Sequence, residues 1–134
     1  MIADWQRVTH RLLALVEAEL GDLGLSPAET NVLACLSEAE PPTIRRVSEA
    51  TAQPPSTLTG LLDRLERRGL IERRPNPRDR RSTLVVLTRD GRSASRRVSA
   101  AFRHVEARIP SAARSGVAGL LAEIEGTLDA APHQ

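Results

Sequence analysis

At 134 residues and 40% hydrophobic side chains, the chain can bury the core of one domain, and its single cysteine excludes an internal disulfide. Net charge is only +2, all 19 basic residues are Arg, and no apolar run reaches the roughly 18 residues that a membrane span needs. Trp5 and Phe102 are the only aromatic residues, so the core must be Leu, Val, Ile and Ala, a composition that favours helices.

The first helix covers about residues 3–20, where Trp5, Val8, Leu12, Leu15, Val16 and Leu20 recur at three-to-four spacing and form one apolar stripe. Gly21–Gly24 ends it. Ser26 has the features of an N-cap, with Pro27 at the first helical position and Glu29 placed to close a capping box. This second helix runs to about Glu38, turns Val32, Leu33, Cys35 and Leu36 inward, and stops ahead of Pro41 and Pro42. Thr43 caps a short third helix carrying Ile44, Val47 and Ala50, and Thr51–Pro54 turns the chain. The fourth helix starts near Pro55, buries Leu58, Leu61, Leu62 and Leu65, and ends at Gly69 as a left-handed cap with Leu70 beyond it.

Short strands over Leu70–Arg74 and Ser82–Leu87, closed by the turn formers Pro75, Asn76, Pro77 and Asp79, make a hairpin. Thr88 caps a long helix over about Arg89–Ile109, in which Ala94, Val98, Ala101, Phe102, Val105 and Ile109 keep helical spacing until Pro110 interrupts. A last helix, about Ser111–Ala130, repeats the pattern with Val117, Leu120, Leu121, Ile124 and Leu128, and leaves a loose tail over Pro132–Gln134. The expected fold is mainly α, with a two-stranded β-hairpin.

Charge is distributed unevenly. Between Arg64 and Arg81 eight arginines face three acids, whereas residues 1–63 carry four arginines against nine acids. The absence of Lys is read as codon bias, so the placement of the arginines carries the information. Two helices joined by a tight turn, the second with small polar residues at its exposed start, describe a helix-turn-helix. The basic hairpin after it completes a winged helix, a shape that fits DNA with a helix in the major groove and a loop beside it. No Ser-His-Asp ordering, phosphate-binding Gly loop or paired-carboxylate motif points to an enzyme. His10 and His104 lack the spacing of a metal site, and neither metal nor cofactor is expected. Met1–Trp5 holds an acid and no basic run of the kind that begins a secretory signal, so the expected location is the cytoplasm.

The string LTGLLDRLERRGLIERRPNPRDRRSTLVVLTRDGR, Leu58–Arg92, resembles the recognition helix, wing and Thr-x-x-Gly helix start of the MarR family of bacterial transcriptional regulators. The resemblance covers nearly the whole chain. It implies a homodimer in which residues 1–24 and 89–134 form a helical dimerisation region and residues 25–88 form the winged helix-turn-helix lobe, all in one domain. The implied function is sequence-specific DNA binding by a ligand-responsive repressor on a pseudo-palindromic operator. The alternative is a winged-helix interaction or dimerisation module that has lost specific DNA binding.

The resemblance also assigns residues. The start of the fourth helix, Pro55, Ser56, Thr57, Thr59 and Gly60, enters the major groove. Arg64 sits on phosphate or pairs with Asp63 or Glu66, and Arg73 and Arg74 contact phosphate. Asp79 and Arg81 take the family's Asp-x-Arg positions, so that Asp79 orients the arginines while Arg78, Arg80 or Arg81 projects toward the minor groove. The chain departs from the family at Pro54 and Pro55, where a capping Ser and a basic or polar residue are common, and at Gly60, where an Arg is frequent. Direct base readout is therefore expected to be thin, with more weight on DNA shape. Relatives often bind small aromatic acids or other ligands between the dimer base and the DNA lobe, and by position Trp5, His10, Arg11 and Arg103 line such a pocket here. Some members sense peroxides through a first-helix cysteine. Cys35, on the second helix and without a resolving partner, is expected to be buried and structural.

Overall fold

A computed structural model describes residues 1–36 and 38–129. In chain order these form α1 (Ile2–Leu20), a 3-10 turn (Gly21–Leu23), α2 (Pro27–Cys35), α3 (Ile44–Thr51), α4 (Pro55–Arg67), β1 (Ile71–Asn76), β2 (Asp79–Leu87), α5 (Arg89–Ala107) and α6 (Ser111–Asp129). The backbone separates into two compact units, Met1–Phe102 and a second that begins at Arg103, the boundary falling within α5. All predicted elements are present. The predicted helix end at Ala130 and the tail, residues 132–134, lie outside the described residues, as does Ser37.

The caps explain where the helices begin. Ser26 Oγ accepts the Glu29 N–H at 3.2 Å and the Ser26 N–H donates to Glu29 Oε2 at 3.0 Å, so the capping box is complete. Thr43 Oγ1 accepts the Arg46 N–H at 3.2 Å to open α3. Helix α4 has no side-chain cap and starts on Pro55, whose missing N–H needs none. It closes on Gly69 at φ 71, with Gly69 N–H donating to Glu66 and Leu70 N–H to Leu65 at 2.9 and 3.0 Å, the paired bonds of a Schellman end.

Two boundaries differ from the sequence reading. Helix α2 stops at Cys35, because Leu36 turns extended and buries its side chain. Consequently Cys35 is half-buried where a buried position was expected. The strands are longer than predicted, running to Asn76 and from Asp79, because the turn formers Pro75, Asn76 and Asp79 also take extended backbone with a register irregularity at Pro75/Asn76. The hairpin gains one unpredicted partner: Thr43 pairs with Leu84, and the Val85 N–H donates to the Pro42 carbonyl at 2.9 Å.

The core of the N-terminal unit is Val32 and Leu33 of α2, Val47 of α3, Leu58, Leu61, Leu62 and Leu65 of α4, Ile71, Val85 and Leu87 of the hairpin, and Val98 of α5. Each buried Leu contributes about 2 kcal/mol through water exclusion, and the four on α4 hold its opposite face outward. Thr88 joins the hairpin to α5. Its hydroxyl donates to the Gly69 carbonyl at 2.6 Å and accepts the Gly91 N–H at 3.0 Å. The 3-10 turn is pinned by the Arg97 fork on Asp22 at 2.6 and 2.7 Å, which holds that carboxyl below its ordinary range.

Candidate nucleic-acid interface

The outward face of α4 begins with Pro55, Ser56, Thr57 and Thr59, all exposed, and the half-buried Gly60. Thr59 Oγ1 is turned back onto the Pro55 carbonyl at 2.9 Å. Among the described residues the Ser56 and Thr57 hydroxyls have no partner, so these two remain able to donate and accept outward. A Cβ on Gly60 would meet only the tip of the Arg64 side chain at 4.0 Å, so the position could carry a side chain without a clash.

The eight arginines of the basic segment divide into two groups. Arg64 Nε donates to Glu29 Oε1 at 3.0 Å, and Arg68 lies 3.7 Å from the other oxygen of the same carboxylate. Glu29 is 6% exposed at its side chain, and a buried carboxylate is tolerable only when its oxygens are filled this way. Arg64 therefore pairs with an acid 35 positions away, a partner that neither alternative drawn from the sequence included. Arg68 also donates to the carbonyls of Gly24, at 2.9 Å, and Leu23.

Arg73 bridges the hairpin to α4. Its Nη2 lies 2.6 Å from Asp63 Oδ1 and 2.6 Å from Glu66 Oε2, and its backbone N–H donates to Glu66 Oε1 at 3.1 Å. These hydrogen bonds hold the Glu66 carboxyl below the usual carboxylate range. Arg74 pairs at 2.6 Å with Glu72 on the open side of the same strand, and Arg67 Nε donates to the Asp63 carbonyl at 3.3 Å.

Arg78, Arg80 and Arg81 form the second group. They crowd the hairpin turn, all exposed, and among the described residues none of their guanidinium groups has an ion-pair partner. The turn itself is held by short side chains. Asn76 Oδ1 accepts the Arg78 N–H at 3.0 Å, Asn76 Nδ2 donates to Ser82 Oγ at 2.9 Å, and Asp79 Oδ1 accepts the Arg81 N–H at 3.0 Å. Asp79 thus orders the arginines through the backbone. With Arg64, Arg68, Arg73 and Arg74 paired to acids, guanidinium groups without ion-pair partners concentrate at the wing tip.

Of the positions tied to a small-molecule pocket, Trp5, His10 and Arg11 lie exposed on α1, and Arg103 lies exposed on α5 within the second unit. Burial alone raises the Cys35 thiol above its ordinary pKa, the opposite of the shift a reactive thiolate needs. Among the described residues no group of three His, Cys, Asp or Glu side chains could hold a metal ion, and no helix is long and apolar enough to cross a membrane. Sequence reasoning missed the Glu29–Arg64 and Arg73–Asp63–Glu66 pairs. The capping box exposed the local task of Glu29, but no local pattern announces a partner on another element.

Comparison with known proteins gives one match over residues 23–82 and others over about nine tenths of the chain. The model of the MarR family matches residues 23–82. The structure is similar to a MarR-family transcriptional regulator from Rhodococcus sp. RHA1, 30% identical, with a TM-score of 0.73 over 89% of this chain and 87% of that one. CouR from Rhodococcus jostii RHA1, bound to p-coumaroyl-CoA, is 34% identical, with a TM-score of 0.74 over 89% and 87%. The transcriptional repressor CouR bound to a 23-mer DNA duplex is 26% identical, with a TM-score of 0.76 over 91% and 89%. Curated relatives match over shorter stretches, and the chain spans about half the length of those it matches.

Proposed function

From the premise that this chain belongs to the MarR family of transcriptional regulators, we propose that it is a sequence-specific DNA-binding regulator that works as a homodimer and represses from a pseudo-palindromic operator. The observation that carries this reading is the division of the arginines. Three cations without ion-pair partners stand at the wing tip and the start of α4 offers free hydroxyls, while Arg64, Arg68, Arg73 and Arg74 are paired with Glu29, Asp63, Glu66 and Glu72. Helix α4 takes the major groove through Ser56 and Thr57, and Arg78, Arg80 and Arg81 reach the backbone and the adjacent minor groove.

Dimerisation is supported separately at each terminus. Helix α1 leaves Ile2, Trp5 and Val8 exposed, and α6 leaves Val117, Leu120, Leu121, Ile124 and Leu128 exposed by 38–68%. Exposed apolar surface of this kind supports a contact with another chain, and two-fold pairing of identical chains would bury it. Two similar proteins named CouR, one bound to p-coumaroyl-CoA and the other to a DNA duplex, support an organic ligand and DNA as parts of the reading. The exposed α1 positions Trp5, His10 and Arg11 are the candidates for contacting such an effector.

Fluorescence anisotropy of the purified protein on DNA from upstream of its own gene, against random competitor at several salt concentrations, tests the reading. Preferential binding that falls steeply with salt is expected. No binding even at low salt, or binding indifferent to salt, would replace it with the interaction-module alternative.

A further inference from the structure

Helix α1 meets the lobe through the short turn at Gly21–Gly24, and little apolar contact backs that joint. Among the described residues of α1 only Val16 and Leu20 are buried, and its last turn carries no basic side chain. The cations that satisfy the joint come from other elements. Arg97 of α5 forks onto Asp22 at 2.6 and 2.7 Å. Arg68, the residue that closes α4, donates to the Gly24 carbonyl at 2.9 Å and to the Leu23 carbonyl, and its Nη1 lies 3.7 Å from Glu29 Oε2. Gly24 holds φ 60, and a Cβ there would lie 3.9 Å from Arg68 Nη2, so the guanidinium rests against the turn itself. Glu29 also takes Arg64, one turn earlier on α4. The foot of α1 is thus bonded to the end of the helix whose start carries Ser56 and Thr57.

We propose, on the homodimeric DNA-binding reading above, that Arg68 is a positioning residue for recognition: without touching DNA it fixes the angle between α1 and α4, and so sets the half-site spacing that the dimer accepts. A guanidinium suits this task because its rigid fork bonds two successive carbonyls at once. The 19 residues of α1 make a lever about 28 Å long. About 10° of rotation at its foot therefore displaces the other end by about 5 Å, more than the roughly 3.4 Å that DNA rises per base pair. A loosened foot misplaces the recognition helix by a base-pair step while leaving the side chains that face the bases intact.

Two measurements on the full chain test this, and the first needs no DNA. In a Cys35→Ser chain, spin labels at Ala18→Cys of α1 and Thr59→Cys of α4, both exposed positions, report the α1–α4 distance by pulsed electron resonance. Excess unlabelled chain suppresses pairs between subunits. Arg68→Gln is expected to broaden the distance distribution, whereas Arg97→Gln, which frees the same turn from α5 instead, should leave it narrow. The second measurement is anisotropy on the operator and on versions with one base pair added or removed between its half-sites. Arg68→Gln should reduce the preference for the natural spacing about tenfold, the worth of one charged hydrogen bond, and keep the base preference, the salt slope and the helical circular dichroism. An unchanged distance distribution, equal broadening by Arg97→Gln, or an intact spacing preference would each overturn the proposal. So would a salt slope lowered by about 1.8, which would put Arg68 on phosphate. No DNA binding by the unsubstituted protein would overturn the spacing role together with the DNA-binding reading, a result distinct from bound DNA whose spacing Arg68→Gln leaves unchanged.

Discussion

A Cβ placed on Gly91 would stand 1.7 Å from the Leu70 carbonyl oxygen and 2.8 Å from its carbon. The same carbonyl accepts the Thr88 N–H at 3.1 Å, so both partners of the collision are fixed backbone and no side chain can move aside. Gly91→Ala is expected to cost about 3 kcal/mol, the upper range of overpacking, measured by urea denaturation. A loss below about 1 kcal/mol would mean that the start of α5 shifts freely against the end of α4. Ala52 presents the reverse case. It closes α3 at φ 53, where an L side chain costs about 1–2 kcal/mol. Glycine would remove that penalty and lose about 0.5–1 kcal/mol through its freer unfolded chain. The first effect is larger, so Ala52→Gly is expected to raise the thermal midpoint, and a lowered midpoint would contradict the balance. Neither position was legible as such in the sequence. Gly69 was, because it follows an apolar helical repeat, whereas at Gly91 the Thr-x-x-Gly pattern marked the helix start but not the collision with Leu70, 21 positions earlier.

Helix α4 and the hairpin behave as one body because Arg73 ties them through Asp63 and Glu66. The hydrogen bonds from Arg73 lower the Glu66 pKa in the folded state. A carboxyl depressed on folding contributes stability above its unfolded value, near pH 4.3, and that contribution disappears as pH falls through the lower folded value. Arg73→Gln should therefore lower the thermal midpoint at pH 7 and flatten its decline between pH 5 and pH 3, which melts across that interval would read. An unchanged acid slope would assign the acid sensitivity elsewhere, with the Asp22–Arg97 pair next in line because Asp22 is depressed for the same reason. Elements themselves were readable in advance: Ser26 with Glu29, Thr43, Gly69 and Thr88 each declared a helix end by side-chain chemistry that acts within three or four residues. What escaped was the pairing between elements. Arg64 and Arg73 carry the same local signature as Arg80 and Arg81, a basic residue in a basic run. Only the fold separates those facing an acid from those facing solvent, which is why the sequence reading placed Arg73, Arg80 and Arg81 alike on DNA and left Arg64 between phosphate and a neighbouring acid.

For the molecule as a whole, that separation makes the salt dependence of DNA binding a structural measurement. A cation displaces a counterion from DNA only if it is free to approach phosphate, and each such contact adds about 0.9 to the slope of log affinity against log salt. On the homodimer reading a single substitution removes two side chains at once. Arg81→Ala, at the unpaired wing tip, should lower the slope by about 1.8 and weaken binding to every sequence alike. Arg73→Gln is the internal control. Its guanidinium is occupied by Asp63 and Glu66, so the slope should change little even where affinity falls through a loosened wing. Thr57→Ala removes an exposed hydroxyl and no charge, so it should keep the slope and alter preference among operator variants. Anisotropy titrations at four or five salt concentrations on one operator and its single-base variants distinguish these cases. A slope that falls equally for Arg73→Gln and Arg81→Ala would mean that the Arg73 pairs open on DNA, turning an internal tie into a phosphate contact. A slope unmoved by Arg81→Ala would take the wing tip off the DNA, and the excess charge there would then belong to another partner.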